Sequence, residues 1–266
     1  MRKSPGPRTV LPMAGAPKAT TMDSLFGGAL SLRQPARGYR MNVDALFLAA
    51  FAAHGRRADL AVDLGAGVGS VALALWHLRA ASRFALVERE APLLALAEEN
   101  AGEAKMSAQG WCCDLDAGLP AELQQSADLV VSNPPFFDPA QSRQGPNAAK
   151  TRARFGELAP FMDAAAAALN GARARVVFVY PARELSRLLS EAARVRLVPK
   201  RLRLVHADAS SAARVALLEL RRAKPGGLVV LPPLLEWVGK GQRSPEVSLI
   251  LAGKRLSADA TADGRK

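Results

Sequence analysis

The chain has 266 residues, 49% hydrophobic and 23% charged, with a formal net charge of +12. That composition excludes a disordered, fibrous or disulfide-stapled protein and fits a globular one with a sizeable core, while the basic excess favours a polyanionic partner such as nucleic acid. Cys112 and Cys113 are adjacent, too close for ordinary disulfide geometry, so free thiols in a reducing cytoplasm are expected. With only three histidines no zinc-type spacing forms, and no apolar run reaches membrane-spanning length.

Residues 1–21 hold Pro5, Pro7, Pro12 and Pro17 beside Arg2, Lys3, Arg8 and Lys18, with no acid, and are expected to form a disordered basic leader. One domain follows over residues 22–252, and residues 253–266 read as a flexible tail. Asp44 to Ala53 has helical character, with Asp44 at the N-cap or in the first turn. Then come a strand over Leu60–Leu64, a helix over Ser70–Leu78, a strand over Arg83–Val87 ending at Glu88, and a helix over Ala91–Ala101. A short strand near Trp111 leads to Asp114, and Leu129–Ser132 forms another. A helix over Pro160–Leu169, a strand over Arg175–Val179 and a helix over Glu184–Ala193 follow. Lys200–His206 and Val215–Leu220 are expected to pair as an antiparallel edge. Strands alternating with helices predict a doubly wound α/β fold with a mostly parallel sheet.

Four strand ends carry chemistry. Asp63-Leu64-Gly65-Ala66-Gly67-Val68-Gly69 follows a strand and opens a helix, so its glycines permit a tight turn and close approach to a ligand. The spacing differs from the G-x-G-x-x-G of dinucleotide binders. Glu88, 19 residues beyond Gly69, closes the next strand, where a carboxylate accepts from both hydroxyls of a ribose. Asp114 ends a third strand and can accept from an adenine amino group. Asn133-Pro134-Pro135-Phe136 ends a fourth. An amide, two prolines with fixed φ and an aromatic face suit the capture of a planar group bearing an NH₂.

Together the glycine loop, Glu88, Asp114 and Asn133-Pro134-Pro135-Phe136 resemble a class I S-adenosylmethionine-dependent methyltransferase. The chain is similar in particular to the bacterial tRNA1(Val) adenosine N6-methyltransferases. That resemblance runs from about Asp23 to Ala252 and includes Phe26-Gly27-Gly28, Gln34-Pro35, Gly38-Tyr39-Arg40, the run from Asp44 to Ala50, His206 and Arg214-Val215-Ala216-Leu217-Leu218-Glu219. It implies a Rossmann-like, mostly parallel seven-stranded sheet with an antiparallel C-terminal edge hairpin. It also implies S-adenosyl-L-methionine as cofactor and transfer of its methyl group to the exocyclic N6 of an adenosine in tRNA. Asp63, Gly65, Ala66, Gly67, Gly69, Glu88, Asp114 and Asn133 would then hold the cofactor, and Gln34, Tyr39, Arg40 and Asp44 would close over its methionine end. Asn133, Pro134, Pro135 and Phe136 would be catalytic: the Asn133 side-chain oxygen and the Pro134 carbonyl accept the two N6 hydrogens, and Phe136 stacks on the flipped base.

Nucleic-acid contacts are expected from Arg143, Lys150, Arg152 and Arg154 in the loop beyond Phe137, and from Lys200, Arg201 and Arg203 on a basic strand. His206 is expected to be a structural hydrogen-bonding residue, and Trp111 and Trp237 packing residues. Ala153-Arg154-Phe155-Gly156-Glu157 departs from the tighter Ala-Arg-x-Glu pattern of the family, a difference that bears on the RNA substrate. Competing readings are a protein glutamine N5-methyltransferase, which also uses an N-P-P-aromatic site, a DNA adenine methyltransferase, and an inactive RNA-binding module of the same fold.

Overall fold

The computed structural model describes residues 19–38, 40–135 and 158–256. Its first element is a hairpin of β1 (Thr20–Leu25) and β2 (Leu30–Pro35), paired antiparallel from Thr20↔Pro35 to Leu25↔Leu30. The turn between them contains Gly27 and Gly28 at φ of 65° and 100°, a region that glycine enters without steric cost. Strand β1 starts inside the expected leader, so order begins earlier than Met22. No element is foreseen between Asp23 and Val43, because these strands pair only with each other and their hydrophobic alternation is weak.

Helix α1 (Asp44–Ala52) is buried on every side, which accounts for a sequence without a polar stripe. Strand β3 (Ala58–Leu64), α2 (Ser70–His77), β4 (Ala81–Glu88), α3 (Ala91–Glu103), β5 (Ala108–Cys112), β6 (Leu129–Ser132), α4 (Leu158–Ala168), β7 (Arg175–Pro181) and α5 (Leu185–Arg194) then alternate as the hydrophobic periods predict. Strands β8 (Val198–His206) and β9 (Ala213–Arg221) complete a seven-stranded core sheet. The pair is antiparallel, as expected, but β8 is not a bare edge. Two short strands, β10 (Val229–Val230) and β11 (Leu234–Leu235), add parallel to it. A small β12–β13 hairpin (Trp237–Gly239, Gln242–Arg243) and α6 (Pro245–Leu251) follow, none of them foreseen. Ser244 caps α6, its hydroxyl accepting from the Val247 N–H at 3.2 Å.

The strands run in the order β10-β8-β9-β7-β6-β3-β4-β5. From β3 the chain moves outward through β4 and β5, then returns to place β6 on the other side of β3, parallel to it. Neighbouring strands therefore depart in opposite directions between β3 and β6, which is where open α/β sheets bind ligands at their carboxyl ends. Side chains alternate between two cores. Val62, Leu64, Val130, Val176 and Phe178 face α4 and α5. Ala61, Leu129, Val131, Val177 and Val179 face α1, α2 and α3.

Among the described residues no helix is long and apolar enough to cross a membrane, and no group of three His, Cys, Asp or Glu side chains is placed to hold a metal ion.

Candidate methyl-donor and acceptor site

The glycine loop joins β3 to α2 at the switch point. Gly65, Gly67 and Gly69 all take positive φ, at 72°, 57° and 81°. Space restricts two of them as well. A Cβ on Gly65 would lie 2.9 Å from Phe161 Cε1, and one on Gly69 would lie 3.3 Å from the Ala97 Cβ. Side chains at Gly65 and Gly69 would crowd Phe161 on α4 and Ala97 on α3. The N–H groups of Gly65 and Ala66 donate to the Val87 carbonyl at 2.9 and 3.0 Å, fastening the loop to β4.

Glu88 closes β4 beside the loop and is only 9% exposed. Its Oε2 accepts from the Gly67 N–H at 2.8 Å and its Oε1 from the Glu90 N–H at 2.9 Å. Each carboxylate oxygen has a further lone pair, so the acid is oriented by the backbone and still able to accept from a ligand. Asp114 follows β5 on the exposed rim and accepts from the Asp116 N–H at 3.1 Å as the cap of a short turn. Asp63 lies within β3, 1% exposed, and accepts from the Ala72 N–H at 3.2 Å. Burial pushes its pKa up to about 7, against the pull of the Ala72 N–H and with a smaller upward contribution from Glu88.

Beyond β6, Asn133 is half-buried, Pro134 buried and Pro135 exposed. Ser132, just before them, donates its hydroxyl to the Leu64 carbonyl at 2.8 Å and locks the end of β6 to the end of β3. Asn133 thus starts from a fixed backbone next to the glycine loop. Phe136, Arg143, Lys150, Arg152, Arg154 and Tyr39 lie outside the described residues.

The upstream block is built around Gln34, which is fully buried. Its Nε2 donates to Asp23 Oδ2 at 2.5 Å, and its Oε1 accepts from the Met41 N–H at 2.8 Å. Arg40 ion-pairs with Asp23 and donates to Thr21 Oγ1 at 2.9 Å. Gln34 and Arg40 therefore brace the chain between the hairpin and α1. Asp44 is not the helix cap: Val43 holds that position without a side-chain bond. The buried Asp44 carboxylate instead accepts from Arg214 at 2.7 and 3.0 Å, and Arg214 also donates to Glu236 at 2.8 and 3.0 Å. These acids raise the Arg214 guanidinium pKa further despite burial. Arg214 opens β9 beside the carboxyl end of β7, so this cluster stands at the ligand edge of the sheet.

Three residues near the site have no role assigned from the sequence. Asn100, fully buried on α3, accepts from the Arg33 N–H at 2.8 Å and donates to the carbonyls of Arg33 and Val68, both at 3.0 Å. It ties the hairpin to the glycine loop. Phe161 packs on Gly65, and Arg214 holds Asp44. A lone amide on the apolar face of α3 was the available signal for Asn100.

The residues of the expected basic strand have partners within the protein. Arg201 pairs with the buried Glu219 at 3.2 Å and stacks on Phe51 at 4.4 Å. Arg203 is bidentate to Glu246 at 2.5 and 2.6 Å and donates to the Pro232 carbonyl at 3.0 Å. Lys200 donates to the carbonyls of Lys224 and Gly226 at 2.8 and 2.6 Å. Lys200 and Arg203 fasten the C-terminal segments to the sheet, where α6 and β10 cover the face that the sequence left open, and Arg201 joins β8 to β9 and α1. His206 is a hydrogen-bonding residue as expected, with Nδ1 2.8 Å from the Ser211 carbonyl, and Trp237 packs under Arg243.

Comparison with known proteins agrees with this geometry. The methyltransferase small domain family model matches residues 42–151. A tRNA1(Val) (adenine(37)-N6)-methyltransferase of Porphyromonas gingivalis W83 is 31% identical over 172 residues, spanning 61% of this chain and 67% of the relative. One of the same name from Flavobacterium psychrophilum is 25% identical over 199 residues, 73% and 83% of the two chains. Among solved structures, a predicted O-methyltransferase from Agrobacterium tumefaciens superposes with a TM-score of 0.62 at 19% identity, covering 80% of this chain and 97% of that one. A T. thermophilus 16S rRNA N2 methyltransferase in complex with AdoMet and guanosine gives 0.53 at 18% identity, covering 77% and 50%. The chain has the class I methyltransferase fold, uses S-adenosylmethionine, and belongs to the family of S-adenosylmethionine-dependent methyltransferases represented by these tRNA1(Val) (adenine(37)-N6)-methyltransferases.

Proposed function

We propose that this enzyme methylates the exocyclic N6 of an adenosine in tRNA, with Asn133 and Pro134 as the acceptor clamp. The observation that carries the reading is the position of Asn133-Pro134 at the switch point, anchored by the Ser132–Leu64 bond beside the glycine loop. The relatives' names support adenosine in tRNA as the acceptor, as does the net charge of +12.

The glycine cradle, Glu88 and Asp114 suit the cofactor: Gly65 and Gly69 leave little room for a Cβ, Glu88 keeps accepting capacity, and Asp114 stands on the rim of the next strand. S-adenosylmethionine supplies an activated methyl group on a sulfonium, so no protein nucleophile is required. Glu88 would accept from the ribose hydroxyls, Asp114 from the adenine amino group, and Asp63 would face the positive amino-acid end. The N6 lone pair of adenosine is delocalised into its ring and is a poor nucleophile. The Asn133 side-chain oxygen and the Pro134 carbonyl would accept its two hydrogens, favour tetrahedral nitrogen and aim the lone pair at the methyl carbon. Carried on the backbone that Ser132 locks, both acceptors would stabilise the charge that develops on nitrogen with little reorganisation. The surplus proton leaves to solvent. Phe136 is proposed to stack on the flipped base, a contact worth roughly 1–3 kcal/mol.

Asn133→Ala should fold and bind cofactor with near wild-type affinity while losing on the order of 100-fold or more in transfer rate. Single-turnover transfer with calorimetry of cofactor binding reads both quantities. A variant with near wild-type rates would sink the assignment. Offering labelled cofactor with separate RNA, DNA and protein fractions identifies the acceptor class, and label in a protein glutamine would favour the competing reading.

A further inference from the structure

At the opposite end of the sheet from the glycine loop, a cavity of about 270 Å³ opens among His54, Gly55, Arg56, Arg57, Ala58, Asp128, Arg173, Arg175 and Arg221. Ala58 and Arg175 are the first residues of β3 and β7, and Arg221 is the last of the antiparallel β9, so this is the amino-terminal edge. Five arginines meet one carboxylate there. Asp128 is already held by the Asn170 amide at 2.7 Å and by the N–H groups of Asp59 and Leu60. Arg221 is paired with the buried Glu219 at 2.6 Å. Arg56, Arg57 and Arg173 are exposed and form no salt bridge among the described residues.

Arg175 sits at the back of the cavity, more than nine-tenths buried. One guanidinium nitrogen donates to the carbonyls of Ala52 and His54 at 3.0 and 2.9 Å, capping the C-terminal end of α1. Its Nε is buried with no hydrogen-bond partner. Burial, with the charges of Arg221 and Arg201, pushes its pKa down, against the pull of Glu219. A cavity that gathers cations without matching acids is stabilised by an incoming anion. The volume is about nine waters' worth and smaller than most drug-sized pockets. It fits a phosphate group with part of its hydration and leaves little room for a base.

We infer that this amino-terminal-edge cavity binds a backbone phosphate of the RNA substrate, gripped by Arg56 and Arg173 at its mouth with Arg175 behind them. The inference rests on the tRNA reading above. Strand β3 separates the two ends by about 20 Å, some six steps of a stacked helix at ~3.4 Å each. An RNA stem-loop spans that distance, so one substrate can present a base at Asn133 and a phosphate here.

The test compares wild type with Arg56→Gln/Arg173→Gln, measuring tRNA binding by fluorescence anisotropy across a salt series, with cofactor binding as the control for folding. An Arg187→Gln/Lys240→Gln variant removes the same charge from exposed positions elsewhere. The expected result is a loss of about tenfold or more in tRNA affinity at 0.1 M salt and a salt slope smaller by about 0.7–0.9, the share of one phosphate, in the cavity variant alone. Unchanged affinity and slope, or an equal loss in the control variant, would overturn the inference. Inorganic phosphate, followed by phosphorus-31 line broadening, separates the sources: broadening abolished by the cavity substitutions while tRNA affinity stays unchanged would make the site one for a free anion and overturn the RNA assignment. A wild type that neither binds nor methylates tRNA overturns the substrate reading and this inference together. One that methylates tRNA, alongside an equally tight-binding cavity variant, overturns this inference alone.

Discussion

Asp63 has a buried carboxyl whose environment favours the neutral form. Its folded pKa of about 7 exceeds the ordinary aspartate value of 3.8, so between those values the native state binds more protons than the unfolded chain. Its contribution to stability is therefore greatest at acid pH, declines as pH rises from about 4 to about 7, and levels off above. Asp63→Asn keeps an acceptor for the Ala72 N–H without the ionisation. Urea unfolding should show the variant gaining stability relative to wild type as pH rises, by on the order of 1–4 kcal/mol more at pH 8 than at pH 4. The same difference at both pH values would contradict the assignment. If Asp63 also faces the positive end of the donor, the variant binds S-adenosylmethionine more weakly. Asp114→Ala, on the exposed rim of the proposed adenine site, should weaken cofactor binding more than RNA binding, which paired titrations by calorimetry would reveal. Gly65, Gly67, Gly69 and Glu88 were legible in the sequence because their roles depend on short spacing and a strand end. Arg214 was not: its partner Asp44 lies 170 residues away, and only the fold brings the two together.

At the scale of elements, the buried Asn100 amide ties the hairpin β1–β2 to the glycine loop, beside the ion pairs of Arg33 with Glu99 and Glu103 on α3. Removing the Asn100 side chain would leave the Arg33 N–H and two carbonyls without their partners in a dry setting. Asn100→Ala is expected to cost about 2–3 kcal/mol and to weaken cofactor binding by loosening the loop's cover. Hydrogen exchange should report faster opening of Leu30–Pro35 than of β3 and β4, whereas uniform acceleration would mean that the hairpin has no separate anchorage. The alternating βα units were read correctly because each element buries an apolar face with its own period. The hairpin, the β10–β13 segments and α6 were missed because they are short, and long-range pairing rather than local pattern defines them. The same blind spot hid the partners of Arg201 and Arg203. A strand alternating arginine and leucine looks like a phosphate rail until Glu219 and Glu246 are brought against it.

Across the whole molecule, the two ends of the sheet differ in kind. The carboxyl edge gathers Asp63, Glu88 and Asp114 around a glycine cradle, and the amino edge gathers arginines around a cavity. An enzyme that takes a cationic donor at one end and a polyanionic acceptor across its surface would profit from that separation. The central claim is the identity of the acceptor atom. The most direct measurement is nucleoside mass spectrometry of unmodified tRNA after incubation with the purified enzyme and deuterated-methyl S-adenosylmethionine, beside an Asn133→Ala control. The account predicts deuterated N6-methyladenosine in the wild-type reaction and on the order of 100-fold less in the control. Label in another nucleoside, or none in tRNA while protein glutamine becomes labelled, would contradict it.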